Sequence, residues 1–383
     1  MVHDCAMLRF QSAMKPLQRL EHGRLKVSKF LFPLLALSLL CNSLDAAASP
    51  PTFTVGWSVY VGWDPYQYLA RSGILRKWAE KYNVTIKVQR FDYAPSLDAF
   101  VAKNIDACAM TNMEALDLPA AAGVDTTAVI VGDYSNGNDA ILVRHNLTLK
   151  QVPDKRVLLV EKTVSQYLFE RALVLNDEAA KLPHIKYVNT SDSDIAGAFL
   201  SDTSQDVAVT WKPLVSQILK GKGITSVFDS SKVPGEILDL LAVRTEVLNR
   251  PDGSGQRFVK ALVGAWYELL TQMSKPGPEG DKVLAAIASV SEDTLPSYKD
   301  QLSTTHMFYT PQSAADMARS KQIKTTMELV RQFCFSHGLL GDKTGSVDDV
   351  AIRFPDGTIQ GKKDRVRLRF DSSYMEMAAG GKL

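Results

Sequence analysis

Residues 52–66 read Thr52-Phe-Thr-Val-Gly56-Trp-Ser-Val-Tyr60-Val-Gly62-Trp-Asp-Pro65-Tyr66, and how this stretch begins and ends decides the fold. Thr52–Gly56 is a short β-rich run. Pro65 then opens a helix, because the first turn needs no N–H from it. The predicted helix spans Pro65–Tyr82, and a second strand follows at Thr85–Phe91. The alternation repeats beyond it: helix Ser96–Lys103, strand Ile105–Met110, helix Asn112–Ala122, strands Thr126–Val131 and Ala140–Val143. Such alternation implies α/β architecture, a mostly parallel sheet flanked by helices.

A second cycle runs from Arg156–Val160 (strand) through Val164–Leu175 (helix), Ile185–Val188 (strand), Asp194–Leu200 (helix) and Val207–Thr210 (strand) to Pro213–Lys220 (helix). Ile237–Val243 is an apolar run able to return to the first sheet. Helical patterns then occupy Arg257–Met273, Asp281–Ser289, Pro311–Ser320 and Ile323–Phe335, and a Pro-Asp-Gly turn inside Ile352–Ile359 marks a hairpin. The predicted organisation is an export segment (1–48), lobe 1 (49–143), lobe 2 (144–240), a return to lobe 1 with C-terminal helices (241–350), and a C-terminal hairpin and tail (351–383).

The export segment is read from Lys29 followed by the apolar run Phe30–Leu40 and then Ala46-Ala47-Ala48, the order of a secretory signal. The run is too short to span a bilayer, which takes about 20 apolar residues. Cleavage near Ser49 would release the rest outside the cytoplasm; Cys41 raises lipid anchoring, but Leu40 stands where a lipoprotein signal prefers a small residue. Met14 is a second possible start. Without residues 1–48 the chain keeps 38 Lys/Arg against 39 Asp/Glu, a balance that excludes a broadly electrostatic nucleic-acid binder. Cys108 and Cys334 each sit in an apolar stretch and read as buried free thiols. The six histidines show no ligand spacing, so neither metal nor cofactor is expected.

Ligands of α/β sheets bind beyond the carboxyl ends of strands. After the first strand, Trp57, Tyr60 and Trp63, with Tyr66, interleave with glycines in a pattern that suits aromatic walls around a flat or cationic ligand. After the third come Thr111, Asn112 and Glu114, where Thr111-x-x-Glu114 also fits a helix capping box. After the fourth, Asp133, Tyr134, Asn136, Asn138 and Asp139 surround an Asn-Gly turn and offer carboxylates and amides. Lobe 2 contributes Gln166, in a second capping-box pattern with Thr163, and Trp211 at a strand end. No nucleophile–base pair or phosphate loop accompanies them.

The first strand and loop Thr54–Tyr60, Ile105-Asp-Ala-Cys-Ala-Met110 and Asp206-Val-Ala-Val-Thr-Trp-Lys-Pro213 together resemble the periplasmic substrate-binding proteins of nitrate/sulfonate/taurine-type ABC transporters. Val55–Pro65, Met110–Glu114 and Val131–Asp139 are similar to the branch associated with urea carboxylase gene clusters. The resemblance implies a two-lobed periplasmic-binding-protein fold with the ligand cleft between lobes, in a monomer that delivers urea or guanidine to a membrane permease with its ATPase. Hinge crossings are expected near Val143–Arg144 and Leu241–Arg244. Guanidinium, planar, always charged and donor-only, suits carboxylates and aromatic faces. Urea would also need the amides of Asn112, Asn136 and Asn138, and an anion would call for Arg or Lys, of which these loops hold only Lys162 and Lys212. The competing readings are an enzyme like those making a thiamine pyrimidine precursor, whose cysteine-rich motif is absent here, and a ligand-sensing domain.

Overall fold

Two sheets carry the chain in the computed structural model, which describes residues 49–383. The export segment and Cys41 lie outside the described residues. The first cycle supplies β1 (Thr52–Trp57), α1 (Asp64–Ser72), α2 (Ile74–Lys81), β2 (Thr85–Arg90), α3 (Tyr93–Val101), β3 (Ala107–Thr111), α4 (Asp117–Ala121) and β4 (Thr126–Ser135). The second supplies β5 (Ala140–Arg144), β6 (Arg156–Leu159), α5 (Val164–Leu175), β7 (Lys186–Asn189), α6 (Ile195–Ser201), β8 (Val207–Thr210), α7 (Leu214–Ile218) and β9 (Ile224–Asp229). The chain then returns through β10 (Leu238–Arg244) to α8 (Thr245–Leu248), α9 (Ser254–Met273), α10 (Pro278–Val290), α11 (Leu295–Ser303), β11 (Thr305–Met307), α12 (Pro311–Arg319) and α13 (Lys321–Ser336). It ends in β12 (Ala351–Arg353), β13 (Ile359–Gln360), β14 (Val366–Phe370) and α14 (Ser373–Ala379).

The larger sheet has the order β13-β12-β14-β4-β10-β3-β1-β2, with β11 on β4; the smaller has β7-β6-β8-β5-β9. Both are mixed rather than mostly parallel. The two strands that enter from the other lobe run against their neighbours: β5 is antiparallel to β8 and β9, and β10 to β3 and β4. Because β5 pairs with the smaller sheet along its whole length, the crossings fall at residues 136–139 and 230–237. Val143–Arg144 and Leu241–Arg244 lie inside strands, where ladder hydrogen bonds leave no freedom for a hinge.

Gly73 splits the predicted Pro65–Tyr82 helix. Its φ of 84° ends α1 in the left-handed region that an L side chain avoids, and α2 leaves in a new direction. The centre of lobe 1 is α9, whose Phe258, Leu262, Trp266 and Leu269 recur at helical spacing and are buried. Each such side chain contributes about 1.5–3 kcal/mol by leaving water. At Gly264 a Cβ would stand 2.5 Å from the Trp78 ring, so glycine is what lets α2 pack against α9. Cys108 and Cys334 are free and buried. Among the described residues no helix is long and apolar enough to cross a membrane.

Candidate functional site

The residues after Trp57 fold into a tight turn, in which the N–H groups of Trp63 and Asp64 both donate to the Tyr60 carbonyl at 2.8 and 2.9 Å. That turn puts Tyr60 and Trp63 on one side of the loop, with ring centroids 5.1 Å apart. Trp63 continues to Tyr93 at 5.3 Å, and Tyr93 meets Trp211 of lobe 2 edge-on at 5.8 Å. These four rings wall a tight cavity of about 20 Å³, closed further by Thr111, Val164, Ile237, Asp139 and Asp239. That is scarcely more than one water-sized sphere of about 10–15 Å³, so the closed lobes leave room for only a very small ligand.

The polar side of the cavity is acidic. Asp239 sits on β10 between Thr111 of β3 and Asp133 of β4. Asp133 lies behind the wall: its Oδ1 accepts the Tyr60 hydroxyl at 3.0 Å, and its buried Oδ2 has no partner. Asp139 is at the first crossing, anchored by its N–H to the Ser135 hydroxyl at 3.1 Å. Burial raises all three carboxyls, Asp139 to about 7, and the neighbouring Asp133 pushes Asp239 up further. No basic side chain lines the cavity. Lys212 pairs with Asp300 at 2.8 Å, and Lys162 is exposed.

Glu114 follows neither expectation for it. The predicted Asn112–Ala122 helix is regular only as α4, so Glu114 caps no helix of its own. Its Oε1 accepts the N–H of Val164 at 3.1 Å, and the Thr111 hydroxyl donates to its other oxygen. A lobe 1 carboxyl thus occupies the N-terminus of α5 in lobe 2, the kind of site that otherwise attracts an anion. Thr163 caps α5 by accepting from the Ser165 N–H, but Gln166 turns away, accepting from the Lys162 N–H and donating to Glu170.

Of the predicted site residues, Tyr60, Trp63, Thr111, Asp139 and Trp211 line the cavity, with Asp133 and Glu114 behind them. The others do not reach it. Trp57 is buried at the end of β1 beside Arg90. Asn112 spends its amide on the Leu238 N–H and the Glu236 carbonyl, tying β3 to the second crossing. Tyr134 stacks on His306 at 4.5 Å. Asn136 donates its N–H to the Thr304 carbonyl, and Asn138 pairs with Thr304 and Thr305, so both secure the first crossing to α11 and β11. Tyr93, Val164, Ile237 and Asp239 were not expected. Tyr93 begins α3 just beyond β2, where the strand-end rule would have found it. Asp239 is the lone carboxyl in the apolar run Ile237–Val243.

No family model matches the sequence, and no curated protein matches it. Solved structures do. The alkanesulfonate-binding protein SsuA from Xanthomonas axonopodis pv. citri, bound to MOPS, superposes with a TM-score of 0.60 at 17% identity, over 77% of this chain and 96% of that one. The periplasmic aliphatic sulphonate binding protein SsuA from Escherichia coli gives 0.57 at 19% identity, over 76% and 89%. The periplasmic nitrate-binding protein NrtA from Synechocystis PCC 6803 gives 0.52 at 9% identity, over 86% and 98%. The chain has the two-lobed periplasmic-binding-protein fold, with the described cavity between its lobes.

Proposed function

We propose that this protein is an extracytoplasmic solute-binding component of an ABC importer, a monomer that closes its two lobes on a small planar nitrogen compound and hands it to a membrane permease with its ATPase. Guanidinium is the favoured ligand. The observation that carries this reading is the cavity lining: four aromatic rings and buried carboxyls, without Lys or Arg. A buried cation needs paired carboxylates, and a planar one gains from aromatic faces. The sulfonate and nitrate named for the structural neighbours would meet the opposite charge, and the α5 N-terminus that would suit them is taken by Glu114.

Urea is the second reading. The amides of Asn112 and Asn138 are spent within the protein, but Asp239, whose carboxyl is raised by burial, offers an O–H to a carbonyl oxygen when it is protonated. The import role also supports a location outside the cytoplasm.

Calorimetric titration with guanidinium chloride at sub-millimolar concentration, with urea, nitrate and taurine in parallel, tests the proposal. Saturable guanidinium binding that weakens at least about tenfold in Asp139→Asn or Asp239→Asn is expected, since a charge-assisted hydrogen bond carries about 1.5–3 kcal/mol. Binding of nitrate or taurine with guanidinium silent would overturn it.

A further inference from the structure

A roomier groove lies elsewhere. A groove of about 510 Å³ opens at the far end of β4 and β10 from Asp133 and Asp239, where the C-terminal strands join the larger sheet. Three neighbouring strands present a row there. Arg353 of β12 is in register with Arg369 of β14, and Arg369 with Thr127 of β4, whose hydroxyl lies 2.8 Å from that of Thr245. All four residues line the groove.

Like charges side by side on adjacent strands repel. The repulsion is incompletely relieved here. Arg369 gives one nitrogen to Asp125 at 3.2 Å, but its Nη1 is buried without a partner. Arg353 has neither a hydrogen-bond nor an ion-pair partner among the described residues. The one carboxylate lining the groove, Asp371, accepts the Ser373 N–H at 2.9 Å and makes no ion pair with either arginine. Two guanidinium forks with free donors, flanked by hydroxyls, match an oxyanion that accepts several hydrogen bonds at once.

We infer that this groove is a second ligand site, specific for a multivalent oxyanion, phosphate or polycarboxylate, held between Arg353 and Arg369. It is independent of the cleft and of the ligand proposed there. Calorimetric titration of the whole chain with sodium phosphate and with sodium citrate, against sodium chloride at matched ionic strength, is the test. Saturable binding of either anion is expected, weakened at least about tenfold by Arg353→Ala. Which anion binds separates the two sources. Arg353 is exposed, so the variant should fold, and its melting temperature without anion should equal or exceed that of the parent because a repulsion has been removed. Heats no greater than those of chloride, or undiminished binding in Arg353→Ala, would overturn the proposal.

Discussion

Burial penalises the charged forms of Asp139 and Asp239, so both carboxyls titrate above an exposed one, Asp139 at about 7. An unfolded Asp titrates near 3.9. With its folded value raised to about 7, Asp139 leaves the folded protein holding the extra proton between those limits. Stability without ligand therefore falls as pH rises from about 4 to 7, and the penalty is complete above 7. Thermal melts should show a higher midpoint at pH 5 than at pH 8, with the difference narrowed in Asp139→Asn. Guanidinium binding should run the other way, tightening as pH rises through 7 with release of a proton, whereas urea affinity should be flat or fall. Calorimetry in buffers of different ionisation enthalpy reads that proton directly. At this scale the sequence was partly legible. Asp139 and the aromatic pair Tyr60 and Trp63 stand in loops after strands, where position alone nominates them. Asp239 hides in a strand, and two of the three amides are engaged inside the protein, Asn112 on backbone groups of the second crossing and Asn138 on the Thr304 and Thr305 hydroxyls.

Among the elements, α5 makes several of the contacts that join the lobes. Its first turn receives Glu114, its middle packs Tyr167 against Phe333 of α13 at 5.4 Å, and Arg171 forks onto Glu236 of the second crossing at 2.8 Å through each of two nitrogens. Glu170 accepts from Gln166, Tyr187 and His337, the last at 2.9 Å from just beyond α13. The hydrogen bond to Glu170 raises His337, and that from His337 lowers Glu170. A raised histidine stabilises fully below its ordinary 6.5 and loses that contribution as pH rises through its folded value. Glu170→Gln should remove this part of the stability below pH 6.5 and widen the unliganded particle in small-angle scattering, with little change in the melt at pH 8. The α5 boundaries were predicted as Val164–Leu175 and are those observed, since Thr163 caps its start; the helix is buried on nearly every face. β9 and α11 escaped notice. β9 is an edge strand with Thr225 and Ser226 exposed, so its pattern is diluted. The polar run 295–303 buries little but Tyr298 and Gln301.

At the scale of the molecule, both crossings are held in register by one serine. Ser230 exchanges a 2.6 Å hydrogen bond with Ser135, receives the Gly137 N–H at 2.7 Å and donates its own N–H to the Asp139 carbonyl at 2.9 Å. Opening the lobes must distort this clasp. Ser230→Ala should favour the open form and raise the apparent dissociation constant while leaving the ligand-saturated scattering profile that of the parent. A ligand that binds only the closed form should stabilise the fold by about 2.7 kcal/mol at a hundred times its dissociation constant. Calorimetric melts with graded guanidinium, kept far below denaturing concentrations, check that figure. The two α/β cycles announced the two-lobed fold. The crossings were misplaced by a few residues because an apolar strand such as β5 reads identically whichever sheet it enters.

The pairing of β14 with β4 sets an order of events during synthesis. Arg367 reaches Asp125 across 242 residues of chain, so the larger sheet lacks its neighbour on one flank of β4 until β14 has been made. Contacts this distant in sequence slow folding. A nascent chain therefore carries β4 with one flank unpaired through all the synthesis that separates the two strands.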